Sequence, residues 1–158
     1  MKKIALLFSM LFVLGLTSQL KAQDFQSAIG GRIWYPVAVS YKFFISEPAA
    51  IELYAGFRGY SGYGAFALGG QYEHHMDISD IEGFQWYFGG GASVAFYNYD
   101  IDDESNVGIG INGVIGLQYT LANAPWSFTV DWMPTVLVSG YEGGFSGAGG
   151  AGARYILK

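Results

Sequence analysis

Cysteine is absent from all 158 residues of the chain. A disulfide framework, a cysteine-ligated metal site and a cysteine nucleophile are therefore excluded. Basic residues are scarce, with eight Lys and Arg against thirteen Asp and Glu, and charged residues make up only 13% of the chain. This acidic balance argues against nucleic acid as a partner, because phosphate backbones are bound by clusters of Lys and Arg.

The N-terminal residues have the pattern of a secretory signal peptide. A pair of lysines precedes an uncharged apolar run over residues 4–16. This run is too short for a membrane-spanning helix, which needs roughly 20 apolar residues. With cleavage after Ala22, residues 1–22 would be the signal peptide and residues 23–158 one mature domain. That domain retains five basic and all thirteen acidic residues, a net charge of −8.

Glycine and aromatic residues are abundant where charge is scarce. The chain has 24 glycines and 18% aromatic residues, and the glycine content is far above the roughly 7% of ordinary proteins. From residue 27 onward, apolar and polar or small residues alternate with the period of a β-strand. Eight segments show this alternation: 27–35, 37–45, 50–59, 65–76, 84–97, 106–120, 126–138 and 147–157.

The two faces of these segments differ in size as well as polarity. In the second segment, Val37, Val39 and Tyr41 share one face, whereas Ser40 and Lys42 lie on the other. An eight-stranded barrel has an interior only wide enough for side chains, so the bulky apolar rows must face outward, towards lipid. The sequence therefore predicts an all-β fold: an eight-stranded antiparallel up-and-down transmembrane β-barrel.

Charged residues fall on the small, polar face of the segments, which is the predicted interior. Ions buried together need partners and hydrogen bonds, and we expect these residues to form a closed lumen charge network. Its predicted members are Arg32, Lys42, Glu52, Arg58, Glu73, Asp131 and Arg154.

Aromatic residues concentrate near the ends of the segments, as in the two interfacial girdles of membrane barrels. One rim is predicted to carry Trp34, Tyr35, Tyr60, Tyr97 and Tyr99, and the other Phe43, Phe84, Trp86, Tyr119 and Trp126. The connections at residues 46–49, 76–83 and 121–125 are expected to be periplasmic turns. Those at 59–64, 98–105 and 139–146 are expected to be outward loops.

Several motifs resemble those of a known family. They are Ser40-Tyr41-Lys42-Phe43-Phe44, Glu73-His74-His75, the run from Trp86 to Gly91, the run from Gly113 to Tyr119, and Ala153-Arg154-Tyr155. In these motifs the chain resembles a widespread family of small Gram-negative outer-membrane β-barrel proteins. The resemblance implies a fold of the OmpA/OmpX type, and it brings no catalytic residues, because most of the family has no known function.

The same resemblance implies a location and partners. The barrel would lie in the bacterial outer membrane, in contact with membrane lipid and lipopolysaccharide. Its assembly would depend on the outer-membrane assembly machinery, which commonly reads a terminal aromatic residue; Tyr155 is expected to take that part here. No cofactor is expected, and we expect a monomer.

The acidic stretch 100–104 is the candidate metal site of the chain. Asp100, Asp102, Asp103 and Glu104 supply hard oxygen ligands of the kind that Ca²⁺ prefers. The stretch lacks the Gly and distal Glu of a defined calcium loop. A solvated, charge-bearing loop is the simpler interpretation.

The histidine pair and the glycine runs could be taken for a metal site and a phosphate-binding loop, but each has a simpler structural interpretation. His74 and His75 are adjacent, and neighbouring strand residues point to opposite faces, so they are not expected to share a metal ion. We expect them to lie at the periplasmic rim. The glycine runs 89–91 and 147–152 lack the helix and basic residue of a phosphate-binding loop. They indicate close packing in a strongly curved sheet.

These observations predict an integral outer-membrane barrel with a structural or surface-interaction role and no catalytic site. Two alternatives remain open at this point. A small-solute pore would use the polar interior, although eight strands leave little space in it. A soluble, lipocalin-like periplasmic binding barrel would require the apolar rows to point inward.

Overall fold

A computed structural model describes residues 26–34, 37–60, 63–79, 81–99, 102–139 and 145–157 of the chain. They form eight strands: β1 Ser27–Trp34, β2 Val37–Ser46, β3 Ala49–Tyr60, β4 Tyr63–Asp77, β5 Phe84–Tyr99, β6 Asp102–Thr120, β7 Trp126–Ser139 and β8 Phe145–Leu157. Within these ranges no helix is long and apolar enough to cross a membrane. The predicted signal peptide, residues 1–22, lies outside the described residues.

The eight strands close into one barrel in chain order. Each strand pairs antiparallel with the next, and β8 pairs with β1 through a ladder that includes Gly30 opposite Arg154. Closure gives each of the described strands a neighbour on both sides, which is how a barrel pairs its backbone without an open edge. The predicted eight-stranded antiparallel barrel is confirmed.

One strand boundary differs from the sequence-based prediction in a way that affects a candidate site. The ladder between β5 and β6 continues to Tyr99 opposite Asp102, with an irregularity after Tyr97. Residues 102–104 were predicted to lie in an outward loop, and their backbone instead begins β6. Backbone pairing with β5 reaches Asp102 beyond the irregularity, because pairing depends on the backbone and not on side-chain polarity.

The apolar rows point outward, as predicted. Val39 on β2 and Val130 on β7 are 65% and 63% exposed, whereas Lys42 and Arg154 are fully buried in the interior. The soluble, lipocalin-like alternative requires the reverse arrangement. It is incompatible with this fold.

The connections after β2, β4 and β6 lie at one end of the barrel, which we call the turn end; the opposite end is called the loop end. At the turn end the aromatic side chains pack in pairs. The rings of Trp126 and Tyr155 meet edge to face at 5.4 Å, and those of Phe84 and Tyr119 lie 5.7 Å apart. At the loop end, Tyr97 was predicted as a girdle residue, but it points inward, since its ring lies where a β-carbon on Gly108 would be.

Glycine is required where two strands approach closely or where the backbone turns. Gly83 precedes β5 with a φ of 78°, a conformation that other residues rarely adopt. A β-carbon at Gly89 or Gly91 would collide with backbone atoms of β4. The run 89–91 therefore serves close strand packing, in agreement with the interpretation of its sequence.

Candidate functional site

Six buried ionisable side chains meet inside the barrel and form what we call the lumen network. They are Arg32, Lys42, Glu52, Glu73, Asp131 and Arg154, none of them more than 7% exposed. Three are cations and three are carboxylates, so their formal charges cancel. The structure thus brings together six of the seven residues that the sequence singled out. The seventh, Arg58, has its backbone in β3 opposite Ala65, and its side chain lies outside the described residues.

Glu52 on β3 is the centre of the lumen network. Its Oε1 atom accepts a charge-assisted hydrogen bond from Nη2 of Arg154, which reaches across from β8. Arg154 also donates from Nε to Ser40 Oγ over 3.0 Å and from Nη1 to Thr129 Oγ1 over 2.9 Å. One guanidinium therefore connects β8 with β2, β3 and β7, using its fixed fork of donors.

Asp131 on β7 forms the second junction. Its Oδ1 atom accepts from Nη2 of Arg32, whose Nη1 lies 3.8 Å from Glu52 Oε2. Its Oδ2 atom accepts a 2.8 Å hydrogen bond from the hydroxyl of Tyr87 on β5. The ring of Tyr87 occupies the space that a β-carbon on Gly116 would need. The missing side chain of Gly116 in β6 thus leaves room for the Tyr87 ring, whose hydroxyl donates to Asp131.

Glu73 on β4 forms the third junction and has three donors. Lys42 Nζ lies 2.6 Å and His75 Nε2 3.0 Å from the same oxygen, Oε2. Oε1 accepts a 2.8 Å hydrogen bond from Gln71 Nε2, which also lies 3.3 Å from Glu52 Oε2. Gln71 therefore links the two glutamates.

The lumen network extends to the turn end through amides. Lys42 donates to Gln118 Oε1 over 3.2 Å, and Gln118 donates to Gln85 Oε1 over 3.4 Å. Gln85 in turn donates to Asp77 Oδ1 over 2.7 Å. Polar contacts consequently run from the middle of the barrel to its rim.

On the loop-end side, a smaller neutral cluster covers the charges. Asn112 donates to the hydroxyl of Tyr54 over 2.9 Å and accepts from Ser93 Oγ over 3.0 Å. The ring of Tyr54 lies across Gly69, where a β-carbon would overlap it, and packs beside Met133. The interior is filled by side chains at this level too.

The sequence analysis missed two residues that hydrogen-bond to the lumen network, His75 and Tyr87. His75 lies two residues before the end of β4, near the rim where it was expected, but it is 2% exposed and points into the barrel. Its neighbour His74 points outward, with its ring 5.6 Å from that of Phe88. Strand alternation places His75 on the same face as Glu73, and this signal could have identified it. The same alternation places Tyr87 on the face of Gln85, but the contact of Tyr87 with Asp131 depends on a glycine in the next strand.

The acidic candidate metal site lies largely outside the structure described. Asp100 is not among the described residues, and only the backbone of Asp102, Asp103 and Glu104 is described. Calcium binding there stays a prediction. Among the side chains that the structure describes, no group of three or more His, Cys, Asp and Glu is placed to hold a metal ion.

Comparisons with solved structures agree with the fold. The chain superposes on the N-terminal β-barrel domain of Pseudomonas aeruginosa OprF with a TM-score of 0.66 and 15% identity, covering 85% of this chain and 100% of that domain. It superposes on neisserial surface protein A, NspA, with a TM-score of 0.57 and 14% identity, covering 83% of this chain and 93% of the other. At this identity the likeness shows the fold. No protein-family model and no curated protein matches the chain.

Proposed function

We propose that the protein is an integral β-barrel of a bacterial outer membrane with a structural or surface-interaction role and without a catalytic site. The outward face supports this location, because Leu53, Phe57, Ile111 and Trp132 are each about half exposed or more. Such a continuous apolar surface is unfavourable in water and stable in lipid. The surrounding partners would be membrane lipid and lipopolysaccharide, and the assembly machinery of the outer membrane would insert the chain as a monomer.

The lumen network is the observation that favours a closed barrel over a pore. Arg154 reaches Glu52 across the interior, and Arg32 joins Glu52 to Asp131. These contacts link strands that are not neighbours in the barrel, so they cross the lumen and occupy it. A solute would have to separate buried opposite charges, and breaking such a pair is strongly unfavourable.

Cell fractionation with gel mobility tests the membrane location. A closed, lipid-embedded barrel remains folded in mild detergent until it is heated, so boiled and unboiled samples of the outer-membrane fraction should migrate differently. We expect a heat-modifiable band in that fraction. A soluble periplasmic species would refute the proposal.

Planar bilayer recordings test closure. The wild-type protein should show no sustained conductance at neutral pH. The variants Glu52→Ala and Glu47→Ala make a matched pair, because Glu52 is buried in the lumen and Glu47 lies exposed in the turn after β2. We expect channel openings only with E52A. Sustained openings of the wild-type protein would favour the small-solute pore instead.

A further inference from the structure

His75 differs from the six residues of the lumen network, because histidine is the side chain whose unperturbed pKa lies between pH 5 and pH 8. The chain has only two histidines, and His75 is the buried one. The imidazole lies between two aromatic rings, stacked on Tyr87 at 4.9 Å and meeting the edge of Phe44 at 5.1 Å. These contacts place it at the turn end of the network.

The hydrogen bonds of His75 leave one ring nitrogen available for a proton. Nε2 lies 3.0 Å from Glu73 Oε2 and donates to that carboxylate. Nδ1 is buried and has no hydrogen-bond partner. In the neutral ring Nδ1 carries a lone pair that accepts no hydrogen bond. Nδ1 is therefore the atom that would take up a proton.

Glu73 Oε2, the oxygen that would pair with a charged His75, already binds the ammonium group of Lys42. Lys42 Nζ lies 2.6 Å from the same Glu73 oxygen and 4.6 Å from the centre of the same Tyr87 ring. Among the described residues, the titratable and charged groups around the imidazole are Glu73 on its own strand, Lys42 on β2 and Tyr87 on β5. Asp77 is the next inward residue of β4.

We propose that His75 is an acid-sensitive latch on the lumen network: its protonation at Nδ1 sets two cations against one carboxylate oxygen and loosens the turn end of the barrel. Two cations that share one carboxylate oxygen repel each other more strongly where water is excluded. The two cations then compete for Glu73, and both lie against Tyr87. Because the Tyr87 hydroxyl holds Asp131, the change reaches the centre of the network.

The latch rests on the proposed function, since the turn end faces the periplasm only if the barrel lies in the outer membrane as proposed. Protons from the periplasm would reach the turn end of the barrel, so the pH of the periplasm would set the protonation state of His75. We therefore expect the stability of the barrel to depend on pH through His75 and not through His74.

The test compares wild type with His75→Gln and His74→Gln in the same detergent. Glutamine at 75 retains an N–H donor for Glu73 and cannot become charged, whereas His74 is an adjacent histidine on the outward face. The midpoint temperature of the gel-mobility shift is measured from pH 7.5 to pH 3.5. Between these limits we expect the midpoint to fall by roughly 5–10 °C more in wild type and H74Q than in H75Q. Equal falls in all three proteins would overturn the latch.

A second measurement does not depend on the folding of H75Q. In H74Q labelled with carbon-13 at histidine Cε1, the single remaining histidine signal reports His75 directly. We expect that signal to titrate over the same pH interval in which the midpoint temperature falls. Titration without loss of stability, or loss of stability while the ring stays neutral, would overturn the proposal. Absence of any heat-modifiable band at pH 7.5 would instead count against the proposed function.

Discussion

Replacing Glu52 by glutamine should destabilise the barrel more than any substitution of an exposed carboxylate. Glu52 is fully buried and faces two guanidinium groups, those of Arg154 and Arg32. The E52Q variant leaves Arg154 with its hydroxyl partners but with no carboxylate, inside a lumen that excludes water. Removing one partner of a buried ion pair lowers the free energy of unfolding by about 3–5 kcal/mol.

A double-mutant cycle separates the ion pair from other effects of the substitution. Arg154→Met alone should lower the free energy of unfolding by a similar amount, because it leaves Glu52 with the amide of Gln71 and with the more distant Arg32 as its paired cation. In the double variant E52Q/R154M neither charge of the pair remains. Its loss should fall short of the sum of the two single losses by roughly 0.5–3 kcal/mol, the usual range for residues in direct contact.

Urea-induced unfolding in lipid vesicles, followed by the fluorescence of the four tryptophans, measures these differences. Glu47→Gln is the matched control, because Glu47 is exposed in the turn after β2. Its effect should stay within about 0.5 kcal/mol. Strict additivity of E52Q and R154M would refute the reasoning, since it would mean that the pair contributes nothing to stability.

Three further predictions follow from the faces of the strands and from the N-terminal pattern. Val130→Arg places a charge on the lipid face of β7 and should lower the free energy of unfolding by about 2–4 kcal/mol. Val138→Arg, on the same face near the loop end of β7, should cost at most about 1 kcal/mol; equal losses in the same urea titration would contradict a lipid-facing belt. Gly116→Ala should lower the midpoint temperature of the gel shift, because its β-carbon would lie 2.7 Å from a tyrosine ring and an aspartate side chain. Gly31→Ala should have little effect on that midpoint, because its nearest new contact is at 3.7 Å; a larger loss for Gly31 would show that glycine acts here through backbone freedom alone. Mass spectrometry of the protein from the outer membrane should find Gln23 as the first residue, and retention of residues 1–22 would rule out the predicted signal peptide.

The alternation of side chains was sufficient to predict the strands and their two faces. Val37 and Val39 lie on one face and Ser40 and Lys42 on the other, which already separates an apolar outer face from an interior, because side chains alternate with a period of two. The narrow interior of eight strands then decided which face is outside. The charged residues of the interior followed from the same alternation.

Strand ends were less predictable, because backbone pairing is indifferent to the side chains it carries. Asp102, Asp103 and Glu104 have the composition of a solvated loop, yet the ladder with β5 continues through the first of them. Tyr97 is an aromatic residue near a strand end, as girdle residues are, yet its ring lies inside the barrel. Register with β5 decided the first case, and alternation along β5, which points Phe96 outward and Tyr97 inward, decided the second.

Only the closed barrel determines which charges meet. Arg154 and Glu52 are 102 residues apart, and Arg32 and Asp131 are 99 apart, so no local pattern could pair them. Closure places β8 beside β1, and the small diameter brings the side chains of opposite strands into contact. The sequence by itself therefore determined the strands, their faces and the polar character of the interior. The tertiary structure decided the pairing inside it, including the position of His75 against Glu73 and Lys42, because those distances exist only once the sheet has closed.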